Sequence, residues 1–384
     1  MKKDSSKNVF WLGLTSFFTD VSSEMIFPIL PLFLTTVLNA PVAIIGVIEG
    51  IAESASSLLK LVSGWLSDKL GKKKALVIGG YSLSTITKPL LAIATSWTHV
   101  LGVRFFDRVG KGIRTAPRDA LIAASTEEKK RGKGFGLHRT MDTLGAVVGT
   151  LIAFYILQKY IGDAFRLIFL LSFIPGFIAI LILIFKVREV KDHVKKKIEF
   201  SFKDQSSMLK RFLVVITFFN LANFSYAFFI LRAKDIGMLI ALIPLIYLVY
   251  NLVYAFFAIP AGKLSDMIGR KTVLFSGLLL FGLTSLGFAF YANTTTIWLL
   301  FALYGLFMAV TDGISRAYVS DLAVKEKRGM ALGAYHMIIG ITVLPANLIG
   351  GFLWDKIDVQ APFIYAAILS IGSALLLLLL VRKK

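Results

Sequence analysis

The chain has 384 residues, of which 56% are hydrophobic and only 17% are charged. This composition excludes an ordinary soluble domain, because the apolar residues form long stretches separated by short polar breaks. The sequence contains no cysteine, which excludes disulfides, thiolate catalysis and cysteine-ligated metals.

The net charge of +20 would suit a nucleic-acid-binding protein, but its distribution argues against nucleic acid as a partner. Lysine and arginine are concentrated in every second polar break. This alternation is the positive-inside pattern of membrane proteins, and it predicts that both termini are cytoplasmic. Because the first apolar segment is long and no small-residue cleavage site follows it, we expect no cleavable signal peptide. We therefore expect a multi-pass protein of the cell membrane, inner or plasma, with the lipid bilayer as its surroundings.

Twelve apolar segments are long enough to cross a bilayer, which takes about 20 residues. They lie near residues 9–36, 42–65, 74–95, 98–117, 132–158, 165–186, 212–231, 237–260, 272–292, 296–316, 329–353 and 361–381. The charged stretch at 188–211 is the one long break, and it divides six spans from six. We therefore predict an all-α membrane protein with an N-terminal six-helix bundle at 1–187, a cytoplasmic linker at 188–211 and a C-terminal six-helix bundle at 212–384.

A polar motif between spans 2 and 3 recurs between spans 8 and 9, about half a chain later. Residues 64–73 and 262–271 both match the pattern G-x-x-S-D-x-x-G-[KR]-K. The start of span 5 at Arg131 is echoed at Arg328 before span 11. Such repetition predicts two pseudo-symmetric bundles of a duplicated transporter. No phosphate-binding loop, dinucleotide fingerprint, metal-ligand cluster or catalytic set is legible, so we expect neither an enzyme nor a cofactor.

The two repeated loops resemble the signature loop of the major facilitator superfamily. The first copy matches fully, and the second departs at Met267, where a basic residue is expected. The resemblance implies alternating access around a central site near the membrane midplane. It also implies that Asp68 is a latch against the N-terminus of span 11, where the helix dipole favours a carboxylate. The gating candidates are Gly64, Asp68, Gly71, Lys72, Arg114, Arg118, Gly262, Asp266, Gly269 and Arg270.

Span 5 contains a second partial resemblance to the family. Gly145 and Gly149 match the antiporter motif G-x-x-x-G-P of drug exporters, but Thr150 stands where that motif has proline. The motif favours antiport. The alternative is a small-residue face used for helix packing.

Ionisable residues inside predicted spans are costly and mark functional sites or paired charges. The first six spans hold most of them. The candidates for proton coupling are Asp20, Glu24, Glu49, Glu53, Arg104 and Asp107. Glu24 and Glu53 are the first choices, because both are predicted far from either membrane face. In the alternative interpretation, each carboxylate is a structural partner of a base such as Lys88 or Arg104.

The second half is quieter, with Asp312 nearly alone among neutral polar residues. This asymmetry predicts that the first half handles protons and that the second half offers aromatic and amide contacts. The substrate-binding candidates are Lys88, Arg104, Arg108, Lys111, His138, Asp142, Asn220, Asn223, Tyr226, Tyr247 and Asn251.

Two functions remain open on the sequence. The first is proton-coupled efflux of small amphipathic or cationic compounds by antiport, supported by the carboxylates and the partial antiporter motif. The second is transport of organic or phosphorylated anions held by the arginines and lysines of span 4. In both cases the partners are a small-molecule substrate, protons and the bilayer, and we expect a monomer.

Overall fold

The computed structural model describes residues 2–127, 131–160, 164–190, 205–324 and 327–381. Within these ranges, the side chains of residues 2–6, 68, 70 and 131 are not described. The predicted linker at 188–211 lies largely outside the described residues. The described part of the chain is helical and contains no strand.

Eight helices form the first half. They are α1 (Lys2–Glu24), α2 (Leu30–Thr36), α3 (Val42–Leu70), α4 (Lys73–Thr87), α5 (Trp97–Ala124), α6 (Arg131–Lys159), α7 (Ala164–Leu171) and α8 (Phe173–Phe185). A 3-10 helix at Lys88–Ile93 continues α4 directly. Pro89 follows Lys88 there and lacks the N–H that a continuing α-helix would use.

Seven further helices form the second half. They are α9 (Ser207–Ala222), α10 (Tyr226–Asp235), α11 (Ile243–Ile268), α12 (Arg270–Phe290), α13 (Thr296–Leu322), α14 (Arg328–Lys356) and α15 (Ala361–Leu380). A short 3-10 helix at Ile240–Leu242 leads into α11.

Each of the twelve predicted spans coincides with one long helix or with two consecutive helices. Ten helical segments of the described chain are long and apolar enough to cross a membrane. The other two spans are α1 with α2, and α5. Both contain more charged residues, and α5 alone carries seven, from Arg104 to Asp119. The helical architecture with twelve spans predicted from the sequence is therefore confirmed.

The described residues divide into two compact units. The first comprises Met1–Ala40, Ile51–Lys197 and Ile240–Leu245, and the second comprises Pro41–Gly50, Ile198–Leu239 and Ile246–Lys384. In the second unit, the carboxylate of Asp355 accepts hydrogen bonds from the N–H groups of Val42 (3.2 Å) and Ala43 (2.8 Å). A carboxylate at this position satisfies the free donors that begin α3 and complements the helix dipole.

Three of the spans are divided into two α-helices where the sequence predicts continuous helices, the sixth of them only by a turn at Ser172. Residues 25–29 separate α1 from α2, and residues 223–225 separate α9 from α10. At the second break, the side-chain oxygen of Asn347, which is fully buried in α14, accepts the N–H of Ser225 at 2.8 Å. Backbone groups freed inside a membrane need such partners, and Asn347 supplies one from another helix.

Helix α5 packs between α3 and α4 through glycines. A Cβ atom on Gly110 would lie 2.5 Å from the carbonyl oxygen of Gly80 in α4, and one on Gly112 would lie 2.7 Å from Leu59 in α3. The hydroxyl of Ser63 donates to the carbonyl of Gly112 at 2.8 Å. Small residues on both sides of α5 let the backbones approach closely, and this approach encloses the charges that α5 carries.

Candidate functional site

The first unit encloses a group of charged side chains that we call the arginine cluster. It consists of Glu53 on α3, Lys88 at the start of the 3-10 helix, and Arg104, Asp107 and Arg108 on α5. The side chain of Arg108 approaches Glu53 with 3.0 Å between Nη2 and Oε1. Arg104 approaches Asp107, one turn away, with 3.5 Å between Nη1 and Oδ2. Both arginines are only 2% exposed, so each buried positive charge lies beside a carboxylate.

An aromatic ring from the break between α1 and α2 completes the surroundings of the two arginines. The guanidinium carbons of Arg104 and Arg108 lie 5.1 Å and 4.7 Å from the centre of the Phe27 ring. These distances are within the range of cation–π attraction, which strengthens when the cation is removed from water. The break between α1 and α2, where a continuous helix was predicted, therefore places the Phe27 ring beside the two arginines.

The remaining members of the arginine cluster are held by hydroxyl groups. The ammonium of Lys88 donates to Ser22 at 3.1 Å and to Ser23 at 2.7 Å, both on α1. The hydroxyl of Ser84 on α4 donates to the carboxylate of Asp107. Lys111 lies one turn beyond Arg108 and is half-buried. The cluster is thus tied to α1, α3 and α4, and its described acids are matched to neighbouring bases.

A second charged group, which we call the histidine cluster, lies where α1, α5 and α6 meet. It consists of Asp20, Arg114, Arg118, His138 and Asp142. His138 is 5% exposed, and its Nδ1 lies 3.4 Å from Oδ2 of Asp142. The Arg118 guanidinium donates to Asp119 at 2.9 Å and 3.0 Å. All five residues are candidate site residues on the sequence, but the sequence did not predict that they lie together.

The packing of α6 on α1 positions the histidine cluster. A Cβ atom on Gly145 would lie 3.1 Å from Cβ of Asp20, and one on Gly149 would lie 3.0 Å from Cα of Val21. The two glycines of the partial antiporter motif therefore allow the backbones of α1 and α6 to approach closely. This observation agrees with the packing interpretation of that motif and leaves antiport untested.

The second unit contains a chain of aromatic rings in contact that we call the aromatic cluster: Tyr226, Phe229, Tyr247, Tyr250 and Tyr304. Successive ring centres are 5.3 Å apart for Tyr226 and Tyr247, 5.5 Å for Tyr247 and Tyr250, 5.0 Å for Tyr250 and Tyr304, and 4.5 Å for Tyr304 and Phe229. Tyr226 and Tyr250 are half-buried, whereas Phe229 and Tyr304 belong to the core. The cluster thus runs from partly accessible rings into the interior.

Polar groups on α11 lie beside this aromatic cluster. The amide Nδ2 of Asn251 is buried and has no hydrogen-bond partner among the described residues. The hydroxyl of Tyr254 donates to Asp312 on α13 at 2.7 Å, and Arg316 donates to the same carboxylate oxygen at 2.7 Å. The expectation that Asp312 stands nearly alone is therefore wrong. The ion pair could have been predicted, because Asp312 and Arg316 are four residues apart on one helix.

Both repeated loops turn at a glycine with positive φ, which is +62° at Gly71 and +94° at Gly269. Asp266 is exposed, and its carboxylate lies 3.2 Å from Arg270, which also binds Asp321. The side chain of Asp68 lies outside the described part of the chain. The guanidinium of Arg114 stacks on Tyr81, with 4.4 Å between its guanidinium carbon and the ring centre.

The other predicted site residues are dispersed. Gly64 faces Ala116 of α5, whereas Gly262 has open space around its Cα, and Lys72 is exposed ahead of α4. Glu24 ends α1, Glu49 is buried in the part of α3 that belongs to the second unit, and Asn220 and Asn223 lie at the end of α9. No metal-binding group of histidine and acidic side chains occurs among the described residues.

One relative named as a transporter matches nearly the whole chain, and another relative matches about a third of it. An uncharacterized MFS-type transporter of Methanocaldococcus jannaschii is 44% identical over 385 residues, which cover 98% of this chain and 95% of that protein. The class C tetracycline resistance protein of Escherichia coli is 33% identical over 140 residues, covering 36% of this chain and 33% of that protein.

Solved structures share the fold at low sequence identity. A crystal structure of the nucleoside transporter NupG superposes with a TM-score of 0.80 at 14% identity, covering 97% of this chain and all of that one. A POT family transporter in complex with 5-aminolevulinic acid gives a TM-score of 0.81 at 13% identity, covering 97% of this chain and 95% of that one. At this identity the likeness shows the fold alone.

The model of the Major Facilitator Superfamily matches residues 12–238 and 212–384. Its two matches together extend over both halves of the chain, in agreement with the repeated loops and the helical architecture. Members of this family are transporters of the membrane and not enzymes. The chain therefore belongs to the major facilitator superfamily.

Proposed function

We propose that this transporter exports small amphipathic or cationic compounds in exchange for protons, by alternating access. The observation that carries the proposal is the aromatic cluster, whose half-buried rings of Tyr226 and Tyr250 offer flat apolar faces with polar rims. Such faces attract cations and stack on planar molecules. The partial match to a tetracycline resistance protein supports the same class of substrate.

The surroundings of the span 4 arginines weigh against the alternative of an anion transporter. An anion site needs guanidinium donors that are free to bind the ligand. Here Arg108 is engaged with Glu53, and Arg104 with Asp107, while Phe27 covers both guanidinium groups. An anion would have to displace two carboxylates from a buried site, which is costly.

The remaining features of the proposal follow from the charge pattern. We propose that residues 1–187 and 212–384 act as the two bundles of a monomer in the inner or plasma membrane, with both termini cytoplasmic. The acidic and basic side chains of the first bundle handle protons, and the second bundle contributes aromatic and amide contacts to the substrate.

Transport of ethidium, an amphipathic planar cation, into inside-out membrane vesicles tests the proposal. An acidic vesicle interior should drive ethidium accumulation, and a protonophore should abolish it. Tyr250→Ala should reduce the accumulation severalfold, whereas Tyr250→Phe, which keeps the ring, should retain most of it. Glycerol 3-phosphate is the competing probe. Its accumulation by the wild type without any ethidium transport would replace the proposal with the anion transporter.

A further inference from the structure

The histidine cluster has more unsatisfied polar atoms than the arginine cluster, in which the Nε of Arg108 is the one buried side-chain atom without a hydrogen-bond partner among the described residues. Four buried atoms of the histidine cluster have no hydrogen-bond partner among the described residues: Nε and Nη1 of Arg114, Nε2 of His138 and Oδ1 of Asp142. A buried polar atom without a partner costs about 1–3 kcal/mol, and more when the group is charged. An arrangement that leaves four such atoms in one place is typical of a site whose occupancy or protonation changes.

The Asp20 carboxyl is surrounded by charges of both signs. Asp142 and Glu24 act on Asp20 with like charge, and Arg114 and Arg118 act with opposite charge. Where carboxyl groups interact in a buried site, ionisation of one disfavours ionisation of the other, so a proton on one of them lowers the free energy. His138 lies beside Asp142, with 3.4 Å between Nδ1 and Oδ2, and an imidazole is a further group that can accept a proton.

Charged groups of α1 and α5, which pack against α6, act on the cluster, and Lys88 of the arginine cluster acts on Asp20. Helix α1 contributes Asp20 and Glu24, and α5 contributes Arg114 and Arg118. Helix α7 contributes Arg166, but its guanidinium donates to the carbonyl of Ala92 at 2.8 Å and is therefore engaged elsewhere. Three acids and one histidine thus share the space with Arg114, the arginine whose Nε and Nη1 have no hydrogen-bond partner among the described residues.

We propose that Asp20, Asp142 and His138 form the proton-binding site of this transporter. The two carboxyl groups together hold one proton. When it leaves to water, the carboxylate of Asp20 accepts hydrogen bonds from the unused donors of Arg114, so that proton and guanidinium compete for the same acid. This assignment rests on the proposed exchange of substrate for protons. It differs from the sequence-based expectation that Glu24 and Glu53 are the first choices, because Glu53 is bound to Arg108.

Infrared difference spectroscopy of the purified full-length protein in lipid nanodiscs tests the assignment. Spectra recorded at acidic minus alkaline pH should contain a carboxylic acid C=O band from the shared proton. Asp20→Asn and Asp142→Asn should each abolish or shift this band. Asp266→Asn is the control, since it removes an acid of the second unit that belongs to neither charged cluster, and it should leave the band unchanged.

A band that persists unchanged in both Asp20→Asn and Asp142→Asn, or that disappears in Asp266→Asn, would overturn the assignment. If an asparagine variant fails to fold, Asp142→Glu keeps the acid and should shift the band, and His138→Gln should shift its midpoint pH. An unshifted band and midpoint in both would also overturn it. The measurement needs no substrate. A wild type that shows the expected band but no proton-driven ethidium transport would therefore refute the proposed function and leave the proton site intact.

Discussion

At the scale of single residues, the buried charge of Arg108 depends on one partner, the carboxylate of Glu53. Arg108 is almost fully buried, and its described ion pair is with Glu53 at 3.0 Å. The Phe27 ring adds cation–π attraction of about 0.5–2 kcal/mol, which is less than the cost of an uncompensated buried charge. The stability of this part of the first unit therefore rests on the carboxylate of Glu53.

We predict that Glu53→Gln lowers the free energy of unfolding by about 3 kcal/mol, because it leaves a buried guanidinium without its counter-charge. Thermal unfolding of the purified protein in detergent measures the effect as a lower midpoint. The double variant Glu53→Gln with Arg108→Gln should recover part of the loss. Independent, additive losses in the two single variants would contradict this coupling.

The sequence predicted the charged residues of both clusters, but few of their neighbours. Phe27 and Ser84 carry no periodic or charge signal, and their contacts with the arginine cluster arise from a helix break and from the close crossing of α4 and α5. The tyrosines at 247, 250 and 254 do share one helical face, so Tyr250 could have been selected with Tyr247. Contacts between different helices could not be predicted, because the spacing of residues along the sequence shows only which residues share a face of the same helix.

At the scale of elements, the crossing of α4 and α5 depends on two facing glycines. The carbonyl oxygen of Gly80 lies 2.5 Å from the position that a Cβ atom on Gly110 would occupy, and the amide nitrogen of Ser84 lies 3.0 Å from it. A methyl group at this position must push α4 and α5 apart, since backbone atoms on the opposite helix cannot move aside singly.

We predict that Gly110→Ala destabilises the protein by about 1–3 kcal/mol, the usual cost of overpacking. Gly102→Ala is the matched control on the same helix, because nothing lies within 4 Å of its Cβ position. That substitution should be neutral or stabilising by up to about 1 kcal/mol through helix propensity. The yield of folded protein and its thermal midpoint would check both variants, and equal destabilisation would argue against tight packing at Gly110.

The two repeated loops should differ in their response to loss of the motif aspartate. Asp266 has a side chain that is 66% exposed, and its partner Arg270 retains Asp321 as a second acid. We predict that Asp266→Asn changes ethidium transport less than twofold, and that Asp68→Asn reduces it at least tenfold, as the latch role requires. Initial rates in vesicles with matched protein content would measure both, and losses of equal size would remove the predicted asymmetry.

The spans were predictable as elements, but their interruptions were not. A hydropathy profile averages the hydropathy of the side chains over a window of residues. It does not show where the backbone departs from helical geometry. The break at 223–225 is stabilised by Asn347, which is more than 120 residues away in the sequence. The local hydropathy pattern therefore indicated one continuous helix, whereas the side-chain amide of Asn347 stabilises a break between two shorter helices.

At the scale of the whole molecule, charge is distributed unequally between the two units. The first unit contains both charged clusters, whereas the second relies on stacked rings and on the Asp312–Arg316 pair. The duplicated architecture therefore carries different chemistry in each half. The sequence already indicated this division, because the count of ionisable residues inside spans requires no knowledge of contacts.

The enclosure of α5 between glycine-rich faces has a consequence for biogenesis. Arg104, Asp107, Arg108 and Lys111 would together cost on the order of 10 kcal/mol if α5 entered lipid alone, at about 2.5–3.5 kcal/mol for each charged residue. We predict that α5 placed singly in a glycosylation-reporter protein is not inserted by the translocon, and that a segment from α3 to α5 is. Replacing all four residues by leucine should let α5 insert unaided. Efficient insertion of the unmodified single helix would contradict this prediction. If the prediction holds, α5 enters the bilayer only together with neighbouring helices. The ion pairs of the mature transporter are then needed already during its membrane insertion.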